Sequence, residues 1–328
     1  MATLEAGSVF ADRYEILSVV GRGGMGTVYR ARHLGLGKQV ALKVLASSSV
    51  NEQEVRFERE ARAIARLDHP SCVRVLDFDR SEDGQPYLAM ELLEGPTLGQ
   101  VLREDGRLST ARAVAITRNL LTALAHAHAQ GVLHRDLKPE NVVLASRGVP
   151  RAVLIDFGLA HVIDEASLTA RGMCIGSPSY LAPERLGGAT YDVRADLYAI
   201  GVLLYEMLAG ERPFTGATTE EILRNCRDRP ARPLRAIRKE VSRTLEQVVV
   251  RAMSKDPAHR FADAEDMLSA LDDVPVLEEL ELRARVELRA EQATTMAIAV
   301  LDVQRASTWA RMWSWLRFGR WRLRMSEL

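Results

Sequence analysis

Residues 134–141 constrain this chain more than any other stretch, because they combine an acid, two cations and an amide in the sequence HRDLKPEN. A carboxylate such as Asp136 can accept a proton from a hydroxyl group. The ammonium group of Lys138 can stabilise a phosphoryl group in transfer, and Asn141 can hold a metal ion. These residue types could together serve phosphoryl transfer, and the alternative is an ordinary polar loop.

The composition argues against several other classes of protein. The chain has 328 residues with 44 Lys+Arg and 44 Asp+Glu, and its net charge of zero gives no reason to expect a nucleic-acid partner. Cys72, Cys174 and Cys226 are isolated, which is typical of a reducing cytoplasm and predicts neither a zinc site nor a disulfide. No secretory signal is recognisable, and the longest apolar run, residues 296–301, is too short to cross a membrane. We therefore expect a cytoplasmic protein.

A glycine-rich stretch lies between two segments that are rich in strand-forming residues. Gly21, Gly23, Gly24 and Gly26 precede Val28, giving the pattern GxGxxGxV. Glycines allow backbone N–H groups to approach phosphates closely. A dinucleotide-binding fold would open a helix at these glycines, whereas here a strand follows. The pattern therefore predicts the tip of a hairpin that covers a nucleotide.

Hydrophobic periodicity places the other motifs on strands and helices. Strands are predicted at 73–78 and 86–92, and helices at 51–67, with Asn51 as N-cap, and at 111–130. His126 and His128 lie two residues apart on the second helix and face different directions. We interpret them as ordinary helix residues rather than as a metal pair.

The ordered motifs resemble those of the protein kinase superfamily, from about residue 12 to about residue 272. Lys138, two residues after Asp136, is typical of the Ser/Thr kinases. The segments GRGGMGTVYRA and RFEREARAIARLDHP resemble the bacterial eukaryotic-like branch of that group. Besides HRDLKPEN and the glycine motif, the matching residues are VALK at 40–43, DFG at 156–158, APE at 182–184, Asp196 with Gly201, and Arg260.

The resemblance implies an α+β fold with two lobes. Residues 12–92 would form a small lobe with a five-stranded antiparallel sheet and one major helix, and residues 93–272 a larger, mainly helical lobe. Residues 1–11 would be an N-terminal extension and residues 273–328 a helical C-terminal extension. ATP would lie between the lobes with Mg²⁺, or with Mn²⁺ in its place.

The resemblance also implies a role for each motif residue. Asp136 would orient the substrate hydroxyl and accept its proton, Lys138 would stabilise the phosphoryl group, and Lys43, held by Glu60, would fix the α- and β-phosphates. Asn141 and Asp156 would bind the metal. The implied ATP-binding residues are Gly21, Gly23, Gly24, Gly26, Val28, Ala41, Lys43, Met90, Glu91, Leu93 and Val143.

Regulation is implied at two further places. Ile64, Leu76, His134 and Phe157 would stack as an apolar spine when the helix and the DFG motif are aligned. Arg135 would clamp a phosphate on Thr169 of the activation segment, with Ser167 as the alternative acceptor. In-line transfer to Ser or Thr hydroxyls of proteins is the implied reaction, with autophosphorylation of this segment. The alternatives are a pseudokinase that binds ATP as a scaffold and a small-molecule kinase of the same fold.

The C-terminal tail has its own composition. Residues 305–324 hold six arginines, no acid and all four tryptophans of the chain. Aromatic rings among arginines are typical of an interfacial helix on an anionic bilayer. The alternative is a helix that packs its tryptophans on the kinase lobe or in a partner's groove.

Overall fold

The structure is a computed structural model that describes residues 4–23, 26–45, 61–145, 151–157, 178–187 and 191–274. All of these residues belong to one compact unit, Met1–Pro275. In these ranges no helix is both long enough and apolar enough to cross a membrane.

An antiparallel sheet forms the N-terminal lobe. Its strands are β1 (Val9–Phe10), β2 (Tyr14–Gly23), β3 (Gly26–His33), β4 (Lys38–Leu45), β5 (Val75–Arg80) and β6 (Pro86–Glu91). They are arranged in the order β1-β2-β3-β4-β6-β5. Alternate residues of these strands, among them Tyr14, Ile16, Tyr29 and Leu42, point into one apolar core, as the two-residue period of a strand requires.

The sheet therefore has six strands in place of the expected five. The additional strand, β1, lies in the predicted N-terminal extension and pairs with the start of β2. Phe10 is buried there, with its ring edge-on to Tyr87 at a centroid distance of 5.4 Å. Burial of this aromatic ring explains why so short a strand is stable.

The C-terminal lobe is mainly helical. Its helices are α1 (Leu98–Asp105), α2 (Thr110–Ala129), α3 (Val193–Ala209), α4 (Thr219–Asp228), α5 (Leu234–Ile237), α6 (Arg243–Ala252) and α7 (Ala264–Asp272). Serine, threonine or aspartate caps most of their N-termini; Ser109, for example, accepts a hydrogen bond from the Arg112 amide. Helix α3 is buried on almost every side and forms the centre of the lobe.

A two-stranded ribbon lies between the catalytic-loop sequence and the DFG sequence. Strand β7 (Val142–Ala145) pairs antiparallel with β8 (Arg151–Leu154), so that Val142 is opposite Leu154. The ribbon therefore brings the residues before β7 close to the residues after β8. These are the two segments that carry most of the predicted site residues.

Candidate active site

The catalytic-loop residues meet at the carboxylate of Asp136. Lys138 Nζ lies 2.6 Å from Asp136 Oδ2, and Asn141 Nδ2 donates to the same oxygen over 2.9 Å. Asn141 Nδ2 also donates to the Asp136 carbonyl over 2.7 Å, which closes the loop on itself. Both side-chain contacts end on Oδ2, so Oδ1 can accept the proton of a substrate hydroxyl.

The predicted metal ligands lie at one end of the ribbon. The Ile155 amide donates to the Asn141 carbonyl over 3.0 Å, which places Asp156 next to Asn141. Asn141 Nδ2 donates to Asp136, and the amide oxygen of the same side chain, Oδ1, is the atom that can act as a metal ligand. A carboxylate and an amide oxygen, completed by phosphate oxygens and water, are a ligand set that suits Mg²⁺.

Lys43, on strand β4 of the sheet, also contacts the predicted metal ligand Asp156. It is buried at 8% exposure, and its Nζ lies 2.8 Å from Asp156 Oδ1. The ammonium group predicted to hold the phosphates and the carboxylate predicted to bind the metal therefore meet. This ion pair joins strand β4 to the segment that follows β8.

The glycine motif forms the predicted hairpin. Gly21 pairs with Val28 and Gly23 with Gly26 across β2 and β3. Gly26 has φ of +148°, and a Cβ atom there would lie 2.2 Å from the Val44 carbonyl oxygen, so only glycine fits.

The other residues predicted to bind the nucleotide lie on strands or just beyond a strand end. Val28 pairs with Lys43, Ala41 pairs with Met90, and Glu91 is the last residue of β6, with Leu93 half-buried just beyond it. Val143 is buried on β7 and bridges to Thr97. A surface of this kind, apolar and lined by strand ends, suits a planar base.

Comparison with known families agrees with this geometry. The family profile described as Protein kinase domain matches residues 14–271. The chain belongs to the protein kinase family. Serine/threonine-protein kinase pkn3 of Myxococcus xanthus is 40% identical over 285 residues, covering 82% of this chain and 51% of that protein. Serine/threonine-protein kinase PknL of Mycobacterium tuberculosis H37Rv is 38% identical over 274 residues, covering 83% and 67%. Serine/threonine-protein kinase PrkC of Bacillus subtilis is 33% identical over 297 residues, covering 90% and 45%.

These similarities place the chain on the bacterial, eukaryotic-like Ser/Thr branch of the kinases. The chain spans only about half the length of the Myxococcus and Bacillus relatives, 51% and 45%. The match therefore concerns the kinase domain that the relatives share with this chain.

The predicted kinase spine is only partly formed as expected. Ile64 is buried, His134 and Phe157 are fully buried, and the rings of the last two lie 4.7 Å apart. The prediction for Leu76 is wrong, because its side chain is 51% exposed. Neighbouring strand residues point to opposite faces, so the half-buried Val75 faces the other way.

His128 lies on helix α2 as predicted, and its side chain has a buried partner. Its Nε2 lies 2.9 Å from Oδ2 of Asp196, a fully buried carboxylate on α3. Burial would raise the pKa of Asp196, but the contacts with His128, then His134 and Tyr191, outweigh burial and lower it. Burial lowers the pKa of His134 and so disfavours protonation of this ring.

The C-terminal end of the activation segment meets a buried arginine of the larger lobe. Arg260 is fully buried and makes a bidentate contact with Glu184, at 2.8 and 2.7 Å. Glu184 belongs to the APE motif and Arg260 is the arginine that matches the family pattern, so these two motifs meet here. A planar guanidinium matches both carboxylate oxygens, which makes this pair geometrically specific.

Several predictions concern residues outside the described ranges. These are the pairing of Glu60 with Lys43, the position of Gly24, the phosphate acceptors Thr169 and Ser167, and the whole tail 305–324. Of the helix predicted at 51–67, residues 61–64 are helical.

Proposed function

We propose that this chain transfers the γ-phosphoryl group of ATP to Ser or Thr hydroxyls of protein substrates. The observation that supports the proposal most is the meeting of Lys138 and Asn141 on one oxygen of Asp136. Asp136 Oδ1 takes up the hydroxyl proton while Lys138 neutralises charge on the phosphoryl oxygens. Little covalent chemistry falls to the protein, so positioning and charge neutralisation supply most of the rate.

ATP and its metal have defined places in this proposal. Asn141 Oδ1 and the Asp156 carboxylate would hold Mg²⁺ or Mn²⁺, which neutralises phosphate charge when bound. Lys43 holds the α- and β-phosphates, and Glu60 is the proposed ion-pair partner of Lys43. The Gly21–Gly26 hairpin covers the phosphates. The base lies among Val28, Ala41, Met90 and Val143, with backbone groups of Glu91 and Leu93 as its hydrogen-bonding partners.

Two other functions compete with this proposal, a pseudokinase scaffold and a small-molecule kinase. A pseudokinase scaffold would bind ATP without transferring phosphate, and its usual sign is loss of Lys43, Asp136 or Asp156, all of which are present. A small-molecule kinase would phosphorylate free metabolites rather than proteins. The protein-substrate function is favoured by the named relatives, which are serine/threonine-protein kinases.

The Asp136→Asn variant tests the proposed chemistry. Incubation of the wild-type chain with labelled ATP and a generic basic protein should label the protein. The variant should lose at least about a hundredfold in rate, because general base catalysis contributes ~10²–10⁴-fold. ATP affinity should be nearly unchanged, since Asp136 does not hold the nucleotide. A variant that kept more than about a tenth of the wild-type rate would contradict the assignment of Asp136.

We also propose that the chain autophosphorylates on Thr169, with Ser167 as the second acceptor. A phosphate adds about −1.5 to −2 charges and can order a loop against an arginine such as Arg135. Mass spectrometry of active protein should find phosphate on one of the two residues. Active protein with both residues unmodified would exclude this mode of activation.

A further proposal concerns residues 305–324, which would bind anionic bilayers through their arginines and tryptophans. This would allow a cytoplasmic kinase to visit a membrane reversibly. The proposal is supported by composition, namely six arginines, four tryptophans and no acid in that stretch.

A further inference from the structure

The catalytic loop is held by one buried carboxylate that collects four donors. Asp196 Oδ2 accepts the His134 amide and faces His128 Nε2, both at 2.9 Å. Asp196 Oδ1 accepts the Arg135 amide at 2.9 Å and the hydroxyl of Tyr191 at 2.6 Å. Among the residues that the structure describes, Tyr191 is the one side chain that donates to the oxygen that holds Arg135.

The Arg135 peptide needs this restraint. Arg135 has φ of +64°, a left-handed conformation that side chains other than glycine rarely adopt. Such a backbone persists only where the surroundings hold it in place. Because Arg135 directly precedes Asp136, a change in this turn moves the carboxylate that accepts the substrate proton.

Tyr191 is itself restrained from the other side. The Arg185 guanidinium lies over its ring at 4.9 Å, and Arg185 follows Glu184, which is bound to Arg260. Burial, then the charge of Asp196, raises the pKa of Tyr191 well above its usual value, so the hydroxyl keeps its proton and donates. A continuous chain of contacts thus runs from the end of the activation segment through Tyr191 to the catalytic loop.

We propose that Tyr191 is a positioning residue for phosphotransfer: its hydroxyl fixes the Asp196 oxygen that holds the strained Arg135 peptide in front of Asp136. The tyrosine touches neither nucleotide nor substrate in this role. The inference rests on the proposed function of Asp136, and it adds a connection through which the activation segment and the catalytic base are coupled.

The test is Tyr191→Phe, which keeps the ring under Arg185 and removes only the hydroxyl. The matched control is Tyr205→Phe, because the buried Tyr205 lies on α3, the helix that carries Asp196, and its hydroxyl donates to the Arg232 carbonyl over 3.0 Å, away from the site. Single-turnover phosphotransfer, KM for ATP and melting temperature are measured for both variants and for the wild type. Loss of a hydrogen bond to a buried charged group should slow phosphotransfer about tenfold in Tyr191→Phe. KM for ATP should stay unchanged, since the nucleotide contacts are made elsewhere.

The control separates positioning from stability. The melting temperature of Tyr205→Phe should fall by about as much as that of Tyr191→Phe, whereas its rate of phosphotransfer should equal that of the wild type. A Tyr191→Phe rate within about twofold of wild type, or equal rate losses in both variants, would overturn the inference. If wild-type protein transferred no phosphate, or Asp136→Asn transferred it normally, the proposed function would fail instead.

Discussion

Two residues of the site, Arg135 and Asp156, have left-handed backbones although neither is glycine, with φ of +64° and +59°. Each such conformation costs about 1–3 kcal/mol, so the surroundings must compensate for it. Asp196 holds the amide of Arg135, and Lys43 holds the carboxylate of Asp156. The strain therefore lies at the residue that precedes the proposed catalytic base, Asp136, and at the proposed metal ligand, Asp156.

The structure predicts that Lys43→Met loses most of the phosphotransfer activity. The variant keeps the length of the side chain but removes the charge that lies 2.8 Å from Asp156. Phosphotransfer should fall about a hundredfold or more, which is typical when one preorganised electrostatic group is removed from an active site. Lys38→Met is the control, because Lys38 is exposed at the start of the same strand. Label transfer from ATP measures both, and near-normal transfer by Lys43→Met would contradict the role of the lysine.

Some contacts of the site can be predicted from the sequence, and others cannot. The approach of Lys138 and Asn141 to Asp136 could be predicted, because all three lie within six residues. The roles of His128 and Tyr191 could not, since each acts through Asp196 and nothing in local periodicity links them to the catalytic loop. Leu76 was misplaced because one position along a strand decides which face a side chain occupies.

Among the elements, a pair of stacked histidines joins helix α2 to the loop before β5. The rings of His69 and His126 lie 5.5 Å apart. His126 Nε2 accepts the Asp68 amide over 3.3 Å, and His69 Nδ1 accepts the Ser71 amide over 3.1 Å. The Ser71 carbonyl in turn accepts the Leu154 amide over 2.8 Å, at the end of β8. A protonated nitrogen cannot accept, so both bonds require neutral rings.

This pair predicts a loss of stability in acid. Burial, then the electrostatic coupling to His126, which opposes a second positive charge, lowers the pKa of His69. The unfolded chain therefore binds a proton more readily than the folded chain, so this contribution is present above the ordinary histidine pKa of about 6.5 and is lost as pH falls below it. The melting temperature of the wild type should drop between about pH 7.5 and pH 5.5, and His69→Asn should reduce that drop. His259→Asn, at an exposed histidine, is the control and should leave the drop unchanged.

The ends of helices are set by capping residues, whereas the ends of strands are set by the partner strand. The helix expected at 111–130 begins at Thr110 and ends at Ala129, because Ser109 caps it and Gly131 follows it. The strand expected at 73–78 instead occupies Val75–Arg80, since its limits are set by its partner β6 rather than by its own sequence. Strand β1, with two residues, is too short for any periodic signal.

Over the whole molecule, charge and aromatic residues are distributed unevenly. The net charge is zero, yet six arginines and all four tryptophans fall in residues 305–324. Each cation near an anionic bilayer contributes about 1 kcal/mol, so six of them could hold the chain on a surface reversibly. Because no tryptophan lies elsewhere, intrinsic tryptophan fluorescence reports on the tail alone.

That uniqueness makes the membrane proposal directly measurable. Vesicles with anionic lipid should shift the tryptophan emission of the full chain to shorter wavelength, and the full chain should sediment together with them. Neutral vesicles should produce neither effect. A chain of residues 1–290, which keeps the compact unit Met1–Pro275, should remain in the supernatant and phosphorylate a generic protein at the wild-type rate. High salt should release the full chain, since electrostatic attraction is screened within about 10 Å at 0.1 M ionic strength. Equal sedimentation of both chains, or of neither at low salt, would favour a tail that packs on the kinase or on a partner protein.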